Sequence, residues 1–187
     1  LYISQDAVGG YYQDRMRAVR VSSQGQILDS TPIEFPATQF SPDTIGLQVA
    51  GQNGQWLVTR CIYHDDGYGT RLMGQRIDGD GTLLDTTPQL LIDWVYGGTK
   101  LLAADGEYLV AGPEWNSYVI TKACRVGLNA QPIGAPFNVP SLNLATNGSE
   151  YYVTWIADYV NLVGSRMTST GTLLTPATNA WFVGPTN

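Results

Sequence analysis

Arg76-Ile77-Asp78-Gly79-Asp80-Gly81-Thr82-Leu83-Leu84-Asp85 is the stretch on which the reading of this chain turns. It runs an arginine, a branched apolar residue, a glycine-rich turn, an apolar pair and an aspartate. The same order stands at Arg20-Val21-Ser22-Ser23-Gln24-Gly25-Gln26-Ile27-Leu28-Asp29. It returns from Arg166-Met167 through Gly171-Thr172-Leu173-Leu174. A looser copy runs from Arg125-Val126 to Pro132-Ile133, where Gly127 to Gln131 departs from the turn pattern. The four arginines stand 56, 49 and 41 residues apart. A drifting period of this size fits repeated modules joined by loops of variable length.

A second segment recurs between the arginines. Alternating apolar residues lead to Asn53-Gly54, Asp105-Gly106 or Asn147-Gly148, and an aromatic-rich run follows: Trp56-Leu57-Val58, Tyr108-Leu109-Val110, Tyr151-Tyr152-Val153. Asn-Gly and Asp-Gly accept the positive φ angles of a type I′ turn, so each copy reads as a tight hairpin. A module then has four strands. The first precedes this turn, the second follows it, and the third ends near the arginine, as in Leu72 to Ile77. The fourth follows the Gly-Thr-Leu-Leu turn, as in Leu83-Leu84 and, beyond Pro88, Leu90-Leu91-Ile92. Four-stranded modules of about 40–50 residues point to an all-β fold, a β-propeller of four-stranded antiparallel blades. A β-sandwich is the alternative, but it needs no repeated sequence. The modules are 1–40, 41–92, 93–140 and 141–187, forming a single propeller or a fragment of one. Leu1-Tyr2-Ile3 begins where a second strand belongs, so the first module lacks its inner strand. The chain, which has no starting Met, is expected to be a piece of a longer propeller or to pair with another chain along residues 1–5.

Composition agrees. Of the 187 residues, twelve are aspartates and only four are glutamates. Aspartate competes for backbone hydrogen bonds and favours turns, whereas glutamate suits helices. No stretch carries an amphipathic helical stripe with caps. The formal net charge of −6 gives no electrostatic reason to bind nucleic acid or an anionic membrane. No apolar run approaches the roughly 18 residues of a membrane span, so no membrane insertion is expected, and nothing at the start reads as a signal peptide. Charged residues are 14% of the chain, but 43% are apolar, which argues for a packed core and against disorder.

With these motifs in view, the chain resembles the blade repeats of secreted and cell-surface bacterial β-propeller proteins. Their pattern is roughly Gly-x-x-Tyr-Leu-Val-x-Trp, a loop, and then Gly-x-Arg-Val-x-x-x-Gly-x-Leu-Leu-Asp. Gly106, Tyr108, Leu109 and Val110 match the first half in one module, and Tyr152, Val153 and Trp155 in another; Gly164, Arg166, Gly171 and Leu174 match the second half. Gly112-Pro113 stands where the tryptophan would be in the third module. The resemblance implies the fold and an extracellular or cell-surface location, and it carries no catalytic assignment.

The loops after second strands hold Asp6; Tyr63, His64, Asp65, Asp66 and Tyr68; Glu114 and Trp115; Asp158 and Tyr159. Those after fourth strands add Phe40, Trp94 and Tyr96. In a propeller these loops share one face. Sugars bind flat rings beside carboxylates, because their C–H faces stack while acids accept hydroxyl protons. The expected ligand-binding set is Tyr63, His64, Asp65, Asp66, Tyr68, Trp94, Tyr96, Trp115, Asp158 and Tyr159. The plainer reading is that the rings pack module against module and the aspartates cap turns.

The expected function is a non-catalytic binding module for a glycan or protein, with no cofactor. Its alternatives are a structural building block of a surface layer or filament and a glycoside hydrolase drawing on Asp6, Asp66, Asp158 or Glu114. His64 is the single histidine, which leaves a Ser-His-Asp triad or a His-rich metal centre little to build on. Asp78-Gly79-Asp80-Gly81-Thr82 starts like a calcium loop, but the sixth position is Leu83 and no glutamate follows to close it, so a turn is expected. Asn147-Gly148-Ser149 matches a glycosylation acceptor and coincides with a hairpin turn. Cys61 and Cys124 allow one disulfide or two buried thiols.

Overall fold

The computed structural model describes residues 1–6, 15–35, 46–64, 69–114, 120–157, 161–174 and 178–181; for residues 3–6, 15 and 178–181 only the backbone is considered. The described strands form four antiparallel sheets, each wound in chain order. The first holds β1 (Tyr2–Asp6), β2 (Arg15–Val19) and β3 (Ile33–Glu34). The second holds β4 (Gln48–Gln52), β5 (Gln55–Tyr63), β6 (Thr70–Asp78) and β7 (Gln89–Val95). The third is β8 (Lys100–Ala104), β9 (Glu107–Pro113), β10 (Thr121–Val126) and β11 (Pro132–Val139). The fourth is β12 (Leu144–Thr146), β13 (Tyr151–Ala157), β14 (Asn161–Met167) and β15 (Thr178–Trp181). No helix occurs among the described residues. The chain is all-β, as its turn-rich, aspartate-rich sequence implies.

Two of the three expected tight hairpins are type I′. Asn53 and Gly54 have φ of 51° and 75°, and Asp105 and Gly106 repeat those values. The third differs. Thr146 pairs with Tyr151 across a four-residue loop, and Asn147 Oδ1 accepts the N–H groups of Ser149 and Glu150 at 3.0 and 2.9 Å. The asparagine side chain there does the work that backbone pairing does in the other two.

The turn after each arginine is the same four times. The N–H of its first residue donates to the carbonyl of its fifth: Ser22 to Gln26, Asp78 to Thr82, Gly127 to Gln131 and Thr168 to Thr172, at 2.8–2.9 Å. The fourth residue is left-handed: Gly25, Gly81, Ala130 and Gly171 have φ of 81°, 94°, 59° and 85°. The third module therefore keeps the backbone that its sequence disguises. Ala130 is fully buried, so its methyl contact offsets the cost of a left-handed alanine. Beyond the turn, Leu83 makes only a single bridge to Ile77, and the outer strand proper begins at Gln89.

A carboxylate clamps each motif arginine. Asp29 accepts the backbone N–H of Arg20 at 2.6 Å and its Nε at 2.8 Å. Asp85 repeats this on Arg76, with the N–H at 2.8 Å and Nη2 at 2.6 Å. In the third and fourth sheets the acid comes from the other side of the motif. Glu107 accepts Arg125 Nε at 2.7 Å, and Glu150 accepts Arg166 Nη2. Glu107 opens β9 and Glu150 directly precedes β13, the positions that correspond to Gln55 at the start of β5. Pairing with these acids raises the pKa of Arg20, Arg76 and Arg125 above the usual guanidinium value, and the Arg20 guanidinium holds Asp29 below the usual carboxylate value. Two arginines also reach the following sheet at equivalent turn carbonyls. Arg20 Nη1 donates to Gly79 at 2.9 Å and Arg76 Nη1 to Leu128 at 3.1 Å.

Consecutive sheets pack face to face, and the core lies in three layers between them. Met16, Ala18 and Phe35 of the first sheet meet Val58 and Ile77 of the second. Leu57, Cys61, Leu72 and Ile92 meet Tyr108, Val110, Cys124 and Val126. Leu109, Ala111 and Ala123 then meet Leu144, Tyr151, Val153 and Met167. Neighbours in one strand, such as Leu57 and Val58, thus enter different cores, as strand alternation requires. Sheets buried on both faces read as nearly unbroken apolar runs, which explains Trp56-Leu57-Val58 and Tyr108-Leu109-Val110. The hairpin tips stand side by side, with the Asp105 N–H donating to the Gly148 carbonyl at 3.0 Å. Between the first two sheets Arg60 is buried; its Nη2 donates to Gln75 Oε1 at 2.9 Å, and burial pushes its pKa down to about 10.

Two expectations follow. Asp85→Ala should destabilise the fold by about 1–3 kcal/mol, because Arg76 loses acceptors for its backbone N–H and guanidinium at a partly buried site. Adding Gln55→Glu, which places an acid where the third and fourth sheets carry theirs, should recover part of that loss in thermal unfolding. At Gly171 a Cβ would lie 2.4 Å from the Phe137 ring of the preceding sheet, whereas at Gly54 it would meet nothing within 4 Å. Gly54→Ala should cost only the backbone strain of about 1–2 kcal/mol, and Gly171→Ala measurably more in a denaturant titration.

Candidate functional site

The ends of β5, β7 and β9 lie together, at the opposite end of the second and third sheets from the Asn53-Gly54 and Asp105-Gly106 hairpin tips. Tyr63, the last residue of β5, pairs with Thr70, the first of β6. Thr70 is buried, and its Oγ1 donates to the Val95 carbonyl at 2.6 Å, which fixes the end of β7. Just past β7, the Tyr96 N–H donates to the Pro113 carbonyl at 2.8 Å, and Val95 bridges Glu114. The second and third sheets are therefore joined backbone to backbone at this end.

Trp94 sits inside this junction. The sequence reading put it in the loop after the fourth strand; it is instead the penultimate residue of β7, with a left-handed φ of 57°. The register of β6 against β7 shifts beside it, between Thr70 and Leu72. A left-handed tryptophan costs on the order of 1–2 kcal/mol, and such outliers collect at functional sites. The distortion turns the indole onto His64. The two rings stack with centroids 4.1 Å apart and an interplanar angle of 21°. His64 is buried, while Trp94 and Tyr96 remain 40% and 45% exposed.

Asp93 binds the group together. Its Oδ1 lies 2.9 Å from His64 Nε2, close but out of line for a hydrogen bond, and 3.6 Å from Arg71 Nε. It also accepts the N–H of Trp94 at 3.2 Å. Nearby on the third sheet, Glu114 pairs with Lys122 at 2.5 Å. Chemically this is a half-exposed indole backed by an imidazole, with a carboxylate and a guanidinium beside them.

Of the expected set, the structure brings His64 and Trp94 into contact and places Tyr63 and Tyr96 at the same sheet ends. Asp65, Asp66, Tyr68, Trp115, Asp158 and Tyr159 lie outside the described residues, as does Phe40. Of the acids weighed for glycoside hydrolysis, Asp66 and Asp158 lie outside them too, Asp6 is described by its backbone alone, and Glu114 is taken up by Lys122. Asp93 and Arg71 are the site residues that sequence reasoning passed over. The signal for Asp93 was its place directly before an exposed tryptophan; Arg71 carries none, since only the register Ile62 to Arg71 brings it here. Among the described residues no three His, Cys, Asp or Glu side chains gather as metal ligands. No protein-family model matches the chain, and no curated protein matches it in sequence.

Cys61 and Cys124 are free, buried thiols in the core between the second and third sheets. Burial pushes both thiols up to about 11. A thiol reacts as its thiolate, so neither should react at pH 8 while the chain is folded. Titration with an aromatic disulfide reagent should release no thiol from the native protein and two equivalents after denaturation.

Proposed function

We propose that this chain is a non-catalytic binding module, built as a β-propeller or a sector of one, that recognises a glycan through the Trp94 end of its sheets. Several features support the radial arrangement. Each sheet packs on the next in chain order, the hairpin tips are neighbours, and the arginine-to-turn contact recurs at equivalent carbonyls. The observation that carries the ligand reading is Trp94, held half exposed by a strained backbone and a stacked His64. An indole face of this kind suits the C–H face of a sugar ring. Asp93 can accept ring hydroxyl protons and Arg71 can donate to ring oxygens. A small aromatic patch ringed by charge fits a saccharide better than a broad protein surface, and an extracellular location suits such a role.

A structural role is the second reading, in which chains assemble by strand pairing. It rests on β1, which among the described strands pairs only with β2, whereas β5, β9 and β13 are paired on both sides.

A broad glycan array followed by calorimetry tests the proposal. A saccharide ligand is expected, and Trp94→Ala should weaken it about tenfold with the thermal transition retained, since ring stacking is worth about 0.5–1.5 kcal/mol. Binding that Trp94→Ala leaves unchanged would move the site elsewhere, and an array without binders would favour the structural role.

A further inference from the structure

We infer that His64 is a proton-operated switch for the Trp94 face: its protonation draws Asp93 onto the imidazole and away from the ligand, so the site releases its saccharide in acid. His64 is the single histidine of the chain, and it is buried. Its Nε2 is shut off from solvent and makes no hydrogen bond, although Asp93 Oδ1 lies 2.9 Å away. Among the described residues Asp93 is the one carboxylate within ion-pair distance of it. A buried polar atom that stands beside an acceptor and is still unsatisfied is an arrangement that one proton can change.

A neutral imidazole carries one N–H and an imidazolium carries two, so protonated His64 always presents a donor at Nε2. The bond it would make to Asp93 is charge-assisted, and only alignment is lacking. Asp93 can supply the alignment. Its side chain is 44% exposed, and its other contacts are long, 3.2 Å from the Trp94 N–H and 3.6 Å from Arg71 Nε. His64 is the fixed partner, stacked under Trp94 and tied by its backbone N–H to the Gly69 carbonyl at 3.2 Å. The rotation that lines up Oδ1 moves both carboxylate oxygens. A carboxylate held between an imidazolium and a guanidinium is also a weaker acceptor for a ligand hydroxyl.

The other ionisable side chains described at this end of the two sheets are Tyr63 on β5, Arg71 on β6, Tyr96 after β7, Lys100 on β8, Glu114 after β9 and Lys122 on β10. Glu114 and Lys122 pair with each other, and Arg71 approaches Asp93. Of these residue types only histidine ordinarily changes charge between about pH 5 and 8, so the switch has one operator. The release step rests on the glycan reading; the proton step does not.

Proton NMR reads the switch directly, because one histidine gives one set of imidazole C–H signals. In the ligand-free chain these signals and the Trp94 indole N–H signal, assigned by its loss in Trp94→Phe, should move together as the pH falls from about 8 to 5. In Asp93→Asn the His64 midpoint should lie at lower pH than in the wild type, because the imidazolium has lost its carboxylate. An indole signal that does not follow His64, or a midpoint that Asp93→Asn leaves in place, would overturn the switch. A saccharide found on the array should bind about tenfold more weakly at pH 5 than at pH 8, and at saturation it should lower the His64 midpoint by about one unit, the same coupling read from the other side. Equal affinity at both pH values would overturn the release step and leave the glycan reading standing. An array without binders would remove the glycan reading and the release step together, and the ligand-free titration would still decide the proton step.

Discussion

The clamp between the motif arginine and a carboxylate is the interaction on which the rest of the structure depends. It ties three parts of a sheet together at the point where β-structure is easiest to fray. In the first two sheets a single aspartate holds the backbone N–H and the guanidinium of the arginine nine residues before it, which pins the turn between them. The outstretched guanidinium then donates to a carbonyl in the turn of the next sheet. Arginine suits this task because its planar fork can satisfy a carboxylate on one side and a carbonyl on another while keeping its charge. The acid changes sides in the third and fourth sheets, from the end of the turn to the start of the second strand. The arginine is the constant, and either neighbouring element can supply its partner.

Stacking follows from that constraint. The fourth turn residue is left-handed in all four turns, which favours glycine, and in the second and fourth sheets a Cβ there would also meet side chains of the preceding sheet; Ala130 is the one non-glycine, with its methyl buried. The central sheets gain two buried faces, and their second strands become continuous apolar runs. The candidate site is a by-product of the same packing. Where the second and third sheets join at the ends of β7 and β9, the register of β6 against β7 slips, and the slip leaves Trp94 in a left-handed conformation against His64.

Some of this was legible residue by residue. Asn53-Gly54 and Asp105-Gly106 announce two-residue turns because few other pairs tolerate positive φ twice, and both form as written. Asn147-Gly148 bears the same letters and forms a wider loop, since Ser149 and Glu150 give the asparagine oxygen two donors nearby. Gly127 to Gln131 has lost the letters and keeps the turn, because hydrogen bonds and a buried Ala130 can hold a backbone that local preference alone would not. Of the candidate site, the aromatic residues stood out, as rings near predicted strand ends do. Asp93 and Arg71 did not, because an acid and a base on separate strands acquire a joint meaning only through register.

The sequence by itself determined the all-β class of the fold and the tight turns at Asn53-Gly54 and Asp105-Gly106, because each of these is local: it depends on composition and on residues within a few positions of one another. The tertiary structure alone decided which acid clamps which arginine, that Cys61 and Cys124 share a core as free thiols, and that Trp94 stacks on His64 beside Asp93 and Arg71. Those pairings join residues on different strands or different sheets. Their distances are set by strand register and by the packing of one sheet on the next, quantities that no local stretch of the chain contains.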